Sequence, residues 1–195
     1  MDMEFPENAT NKERAINWQK IAEIKDADFG FNDPEEKTIE IRFCVRVLLL
    51  NDKGEICVVK SEKYAYMQLP GGGIEEGESI IEALKRETVE ETGWLISDIE
   101  PIGFTLERRE DKRNTHSWNR SISYVFKANP TKQVGTNYME DEIAEGFKPI
   151  WLKLADFIAE QERNEGHIES YSGNFSNRRD LLIAKYYEKL KQEQN

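Results

Sequence analysis

Cysteine is scarce in this chain: Cys44 and Cys57 are the only two, and both sit inside apolar, strand-like runs. They show neither metal-ligand spacing nor a disulfide framework, so the sequence predicts buried, reduced thiols. Histidine is equally scarce, and His116 and His167 stand alone in polar stretches, as ordinary surface residues do. No apolar run approaches the roughly 20 residues that cross a bilayer. The start, Met1-Asp2-Met3-Glu4-Phe5-Pro6, lacks the basic-then-apolar pattern of a secretion signal, and the expected location is cytoplasmic. Positive charge is short as well, with 27 Lys and Arg against 38 Asp and Glu and a formal net charge of −11. Such a chain is a poor binder of nucleic acid polymers or anionic membranes, which reward clustered cations. A polyanionic ligand would need metal ions or a local basic cleft to cancel the repulsion.

The apolar share is low, 38% hydrophobic against 33% charged, while aromatics reach 10%. At 195 residues this suits one compact domain with a core drawn from the middle of the chain and polar ends. Residues 1–38 read as a partly helical N-terminal extension, with Trp18, Ile21, Ala22 and Ile24 as anchors of a helix over 11–24. Residues 39–195 read as the domain proper. Within it, IEIRFCVRVLLL at 39–50 is the β-branched and aliphatic run of a central strand. Asn51-Asp52-Lys53-Gly54 turns that strand into a partner at 55–61. Further strands are predicted at 99–107, 121–128 and 149–152, with a short extended piece at 64–69. Helices are predicted at 154–161 and at about 177–192. The helix over 79–92 has the fullest signals: Ser79 and Glu82 make a capping box, Ile80, Ala83 and Leu84 share a face, and Gly93 supplies a left-handed end. The fold class is α/β, a mixed sheet flanked by helices.

That helix also carries the chemistry. The chain there reads Gly72-x5-Glu78-x7-Arg86-Glu87-Thr88-x-Glu90-Glu91-x-Gly93-Trp94. Glu87, Glu90 and Glu91 are spaced i, i+3, i+4 and project from one helix face. Three like charges there repel one another, and hard divalent cations such as Mg²⁺ take carboxylate and phosphate oxygens. A solvated acidic face is the plain alternative. The cluster, however, follows directly on Pro70-Gly71-Gly72-Gly73, a loop whose backbone can approach a phosphate closely. Arg42 and Arg46 are four apart on the central strand and share a face, where they either hold an anion or pair with the glutamates. Lys60, Arg108 and Arg109 are further cations without discriminating spacing, and Tyr64, Tyr66 and Trp118 are aromatic candidates for stacking on a base. Arg178 and Arg179 open the predicted last helix, where the dipole favours anions, so they either hold an anion or pair with Asp180.

The pattern from Gly72 to Trp94 resembles the signature of the Nudix (MutT-like) hydrolases, with all seven fixed residues present and Thr88 where a bulky aliphatic is usual. The resemblance covers residues 39–160. It implies a Nudix-type α/β/α sandwich with a mixed β-sheet and a loop–helix–loop. It also implies a metal-dependent pyrophosphohydrolase that cleaves a nucleoside diphosphate linked to another moiety by attack of water at phosphorus. On that resemblance, Glu87, Glu90 and Glu91 coordinate Mg²⁺ or Mn²⁺, and Glu87, Arg86 and Glu91 form the catalytic set, with Arg86 orienting Glu87. Gly71, Gly72 and Gly73, with Arg42 and Arg46, meet the substrate, while Glu78 and Gly93 brace the motif. The general base is Glu87 or a carboxylate of the acidic segment Glu140-Asp141-Glu142, with Glu145 close behind. The expected substrate is a nucleoside triphosphate or related nucleotide. A nucleotide-sugar or ADP-ribose pyrophosphatase, or a nucleotide-binding regulatory module with little turnover, is the alternative. Neither a nucleic acid polymer nor a membrane is an expected partner, and a homodimer is the default for an enzyme of this size.

Overall fold

The computed structural model describes residues 3–31, 38–64, 66–110, 117–138 and 140–193. The elements run α1 (Asn11–Arg14), β1 (Lys20–Lys25), a 3-10 turn (Asp26–Phe29), β2 (Thr38–Leu50), β3 (Glu55–Lys60), β4 (Met67–Gln68) and α2 (Ile80–Thr92). They continue with β5 (Trp94–Glu110), β6 (Ser117–Gln133), α3 (Glu140–Ala144), β7 (Lys148–Lys153), α4 (Leu154–Asn164) and α5 (Tyr171–Glu193). Among the described residues the strands form a seven-stranded mixed sheet in the order β1-β5-β6-β2-β3-β4, with β7 on β3.

The sheet explains why β2 reads as a continuous apolar run. Alternate side chains point to opposite faces, and both faces are covered. Val45, Val47 and Leu49 of β2, with Tyr124 and Phe126 of β6, pack against Ile80, Ala83 and Leu84 of α2. Leu48 and Val125, on the other face, pack with Ile56 and Val58 of β3 against Phe157 of α4 and Leu181, Ile183 and Ala184 of α5. The result is helix, sheet, helix, the layering that the resemblance implies.

The predicted β2–β3 hairpin is real but short. Only Leu49↔Cys57 and Leu50↔Ile56 pair. Further along β2 the glycine loop takes the place of β3: Val47 donates to the Pro70 carbonyl at 3.0 Å, Val45 to Gly72 at 2.9 Å, and Ile74 to Phe43 at 2.9 Å. The sheet is thereby divided into two wings, and the glycine loop lines the junction.

The helix predicted over 11–24 is not formed. The single turn α1 is closed by a Thr10–Glu13 capping box, and residues 20–25 instead form β1, parallel to β5. The reason is tertiary: β5 offers an unpaired edge, and a strand there satisfies its ladder hydrogen bonds. The segment is knitted to the core. Trp18 packs edge-on to Tyr124 and Phe126, at ring distances of 4.9 and 5.3 Å, and donates its indole N–H to the Glu13 carbonyl. The buried Glu13 carboxylate in turn accepts from the Ile81 N–H in the first turn of α2, at 2.8 Å. Trp18→Ala is therefore expected to cost about 3–5 kcal/mol of stability. Urea denaturation of the full chain reads this, and a loss below 1 kcal/mol would mean the segment merely rests on the sheet.

Candidate active site

The helix that bears the acidic cluster forms as its local signals require. Ser79 Oγ accepts from the Glu82 N–H and Glu82 accepts from the Ser79 N–H, while Gly93 ends the helix at φ 73°. One face buries Ile80, Ala83, Leu84, Thr88 and Glu91. Thr88, in place of an aliphatic, is fully buried and gives its hydroxyl hydrogen to the Leu84 carbonyl one turn back at 2.6 Å, so no polar group is stranded.

Arg86 is the hub. Its Nε and Nη2 grip both oxygens of Glu78 at 2.6 and 2.8 Å, and Nη1 reaches Glu87 at 2.8 Å and Glu90 at 3.1 Å. Nη2 also donates to the Gly73 carbonyl at 2.9 Å, which ties the helix to the glycine loop. The guanidinium holds the Glu78 carboxyl below the usual carboxylate range. Burial pushes Glu87 up, against the pull of Arg86 and Arg46.

The loop is held from its other end by Glu91, which accepts from the Gly71 N–H at 2.7 Å. Gly71 has φ 137°, and a Cβ there would stand 2.1 Å from the Val45 carbonyl oxygen, so only glycine lets the loop lie against β2. At Gly72 the neighbour is the acidic cluster: a Cβ would stand 2.4 Å from Glu87 Oε1. The three glycines, Glu87, Glu91 and Arg86 thus form one assembly.

Arg42 and Arg46 point away from α2, on the face of β2 that α5 covers. Neither makes an ion pair with the glutamates among the described residues; Arg46 Nη1 donates to the Val45 carbonyl. Both line a polar cavity of about 400 Å³, with Tyr66, Arg109 and Glu145 at its wall. Cys44 is on the same wall, and Cys57 is buried elsewhere with its thiol pushed up to about 12 by desolvation.

The sequence profile of the NUDIX domain matches residues 40–172. The chain belongs to the Nudix family. It is 35% identical over 102 residues to the 8-oxo-dGDP phosphatase NUDT18 of Danio rerio, covering 51% of this chain and 28% of that protein. It is 43% identical over 60 residues to the RNA pyrophosphohydrolase of Wolbachia pipientis subsp. Culex pipiens (strain wPip), covering 30% of this chain and 36% of that one. The chain thus spans well under half the length of these relatives. Among solved structures, a NUDIX hydrolase from Nitrosomonas europaea superposes with a TM-score of 0.49 at 19% identity, over 75% of this chain and 91% of that one.

The Nudix helix presents a donor set that suits a hard cation. Glu87 and Glu90 each engage Arg86 through one oxygen only, and no hydrogen bond occupies the other among the described residues. In this arrangement no three acidic, His or Cys side chains converge to metal-binding spacing among those residues, because Arg86 draws two of the glutamates and Gly71 the third. Carboxylate oxygens beside a glycine loop nonetheless fit Mg²⁺ or Mn²⁺ chemically, since both are oxygen-seeking ions.

Other residues singled out from the sequence fall in different places. Arg108 faces Glu23 at 3.5 Å, Tyr64 is exposed and stacks on Tyr66, and His167 is exposed. His116 and the side chains of Trp118, Asp141 and Glu142 lie outside the described residues. Arg178 and Arg179 do not open the last helix: α5 starts at Tyr171, because Phe175 is buried against Phe29 and Tyr171 and carries a Ser- and Gly-rich turn into the helix. The helix-end argument for an anion at these arginines therefore fails. Arg178 pairs with Glu165, while Arg179 is buried, pairs with Asp180 at 2.7 Å and Glu107 at 3.3 Å, and lines the cavity. The signal that could have placed it is the spacing of Ser172, Ser176 and Arg179, one helix face turned to the cavity.

Proposed function

We infer that this chain is a metal-dependent pyrophosphohydrolase that cleaves a diphosphate joined to another moiety, with a nucleotide as the substrate class. The observation that carries the reading is the Arg86 hub, which holds Glu87 and Glu90 beside a glycine loop that Glu91 fixes at Gly71. Glu87, Glu90 and Glu91 would hold Mg²⁺ or Mn²⁺, which when bound supplies Lewis acidity and a more acidic water. Glu87, packed against Gly72, accepts the proton of the attacking water. The water oxygen bonds to phosphorus as the bridging P–O bond breaks, and the bond's electron pair leaves with the departing phosphate. Arg42 and Arg46 hold the charged oxygens of the substrate in place, which offsets the repulsion expected between a chain of net charge −11 and a polyanion. Glu145, which among the described residues of the acidic segment lines the cavity, is the second candidate for proton acceptor. Of the two relatives above, the 8-oxo-dGDP phosphatase supports a nucleotide as the substrate class, and the RNA pyrophosphohydrolase supports hydrolysis of a pyrophosphate bond.

A hydrolysis screen with Mg²⁺ and Mn²⁺, run beside Glu91→Gln, tests this. The panel holds nucleoside triphosphates, oxidised ones included, with ADP-ribose, nucleotide sugars and dinucleoside polyphosphates. Glutamine can still accept from the Gly71 N–H, so the variant removes charge and little else. Turnover is expected to fall at least about 100-fold in Glu91→Gln and to vanish in excess chelator. Full Mg²⁺-dependent activity in that variant would sink the metal assignment.

A further inference from the structure

The polar cavity holds more cation than its own carboxylates balance. Arg42, Arg46, Arg109 and Arg179 line it, with Glu107 and Glu145 as the acidic groups. Glu107 is engaged by Arg179, whereas Arg42, Arg46 and Arg109 have no ion pair among the described residues. Arg109 rests over the Phe175 ring at 5.6 Å, a contact that brings no formal counter-charge. The wall also holds buried polar atoms with no hydrogen-bond partner among the described residues: Arg46 Nε, Arg179 Nη2 and Ser123 Oγ. Guanidinium N–H groups only donate, so the missing partner is an acceptor. Burial, and then the nearby charge of Arg179, push the Arg46 pKa down, against the pull of Asp180 and Glu91.

These groups come from both layers. Arg42, Arg46, Ser123 and Arg109 stand on the sheet, where register sets Cys44 opposite Ser123 and Arg42 opposite Ser121, and Arg179 comes from α5 on the other side of the cavity. Donors from a floor and a facing helix suit a tetrahedral anion with oxygens on several sides better than a planar carboxylate. Tyr66 and Phe147 are the aromatic members of the wall, too few to make it an apolar base pocket.

We propose that this cavity is a second phosphate site, which takes a phosphate group that the substrate carries beyond the diphosphate held at the glycine loop, with Arg46, Arg109, Arg179 and Ser123 as donors. The substrate class follows: nucleotides with a third phosphate in the chain, or diphosphates whose attached group bears its own phosphomonoester. This rests on the diphosphate reading given above and narrows it.

Calorimetric titration of the full chain with inorganic phosphate, in excess chelator, reads the site without metal or turnover. Wild type is expected to bind phosphate at least about tenfold more tightly than citrate, and Arg109→Gln to weaken phosphate at least about tenfold. Arg109 is half-buried and outside any ion pair among the described residues, so this variant is expected to keep the fold; Arg179→Gln is expected to abolish binding but removes a buried partner of Asp180. Folded wild type that ignores phosphate, equal binding of citrate, or an Arg109→Gln variant that binds like wild type would each overturn the proposal. Glu91→Gln should bind phosphate normally, so loss of its hydrolysis reports on the reaction alone and the two readings fail separately. A triphosphate-over-diphosphate preference that collapses in Arg109→Gln places the third phosphate in the cavity; phosphate binding lost with that ratio unchanged assigns the phosphomonoester.

Discussion

Arg86→Ala should lower turnover about 100-fold or more, and Arg86→Lys should recover little of the loss. The guanidinium makes five contacts in a fixed plane, to both oxygens of Glu78, to Glu87, to Glu90 and to the Gly73 carbonyl. Without it three carboxylates face one another with no cation between them, and Glu87 and Glu90 are free to swing away from the glycine loop. A lysine ammonium can meet one or two of those oxygens but cannot span from Glu78 to Glu90. On the proposed reading Arg86 positions Glu87 and Glu90, so the expected signature is a fall in kcat together with a raised midpoint of the Mg²⁺ titration. The fold should persist by circular dichroism, because α2 keeps its cap and its apolar face. A kcat within threefold of wild type in Arg86→Lys would show that charge alone suffices.

Asp180→Ala should destabilise the chain by about 3–5 kcal/mol. For a chain of this length that corresponds to a fall in Tm on the order of 10 °C. Asp180 is fully buried and does two jobs: Oδ1 accepts from Arg179 Nε at 2.7 Å, and Oδ2 accepts from the Leu69 N–H at 2.8 Å. Burial works against the charge on Arg179, and Asp180 with Glu107 more than offsets it, so the guanidinium stays protonated. Removing Asp180 leaves Arg179 Nε and the Leu69 amide in the interior without their acceptors, and leaves Glu107, at 3.3 Å, to balance the guanidinium alone. The Leu69 contact also sets the residue that leads into Pro70 and the glycine loop, so a stability loss under 1 kcal/mol would mean α5 does not anchor that loop. Scanning calorimetry and urea melts of the full chain read the effect.

The helix Ile80–Thr92 was legible because every signal for it is local: a capping box, an apolar face at helical spacing, and a glycine at the end. The same holds for the glutamate spacing, since i, i+3 and i+4 share a face in any helix. The strand Thr38–Leu50 was legible for a related reason, as burial on both faces leaves a continuous apolar run. Residues 20–25 were not, because Ile21, Ala22 and Ile24 are as compatible with a helix as with a strand, and only the open edge of β5 decides between them. The early start of α5 was hidden because Ser172, Gly173 and Asn174 disfavour helix locally, and packing of Phe175 overrides them.

The sequence by itself determined the family motif, the donor types and their order: Glu78, Arg86, Glu87, Glu90 and Glu91 behind three glycines. It also set the need for a local basic cleft, from the excess of acid over base. Only the tertiary structure decided where that cleft is. Arg46, Arg109 and Arg179 are tens of residues apart in the chain, and they meet because β2 and β5 lie in one sheet that α5 covers. Local spacing reports which side chains share one face of one element, whereas a cavity between layers is fixed by how separate elements pack, through contacts that no short stretch of sequence contains.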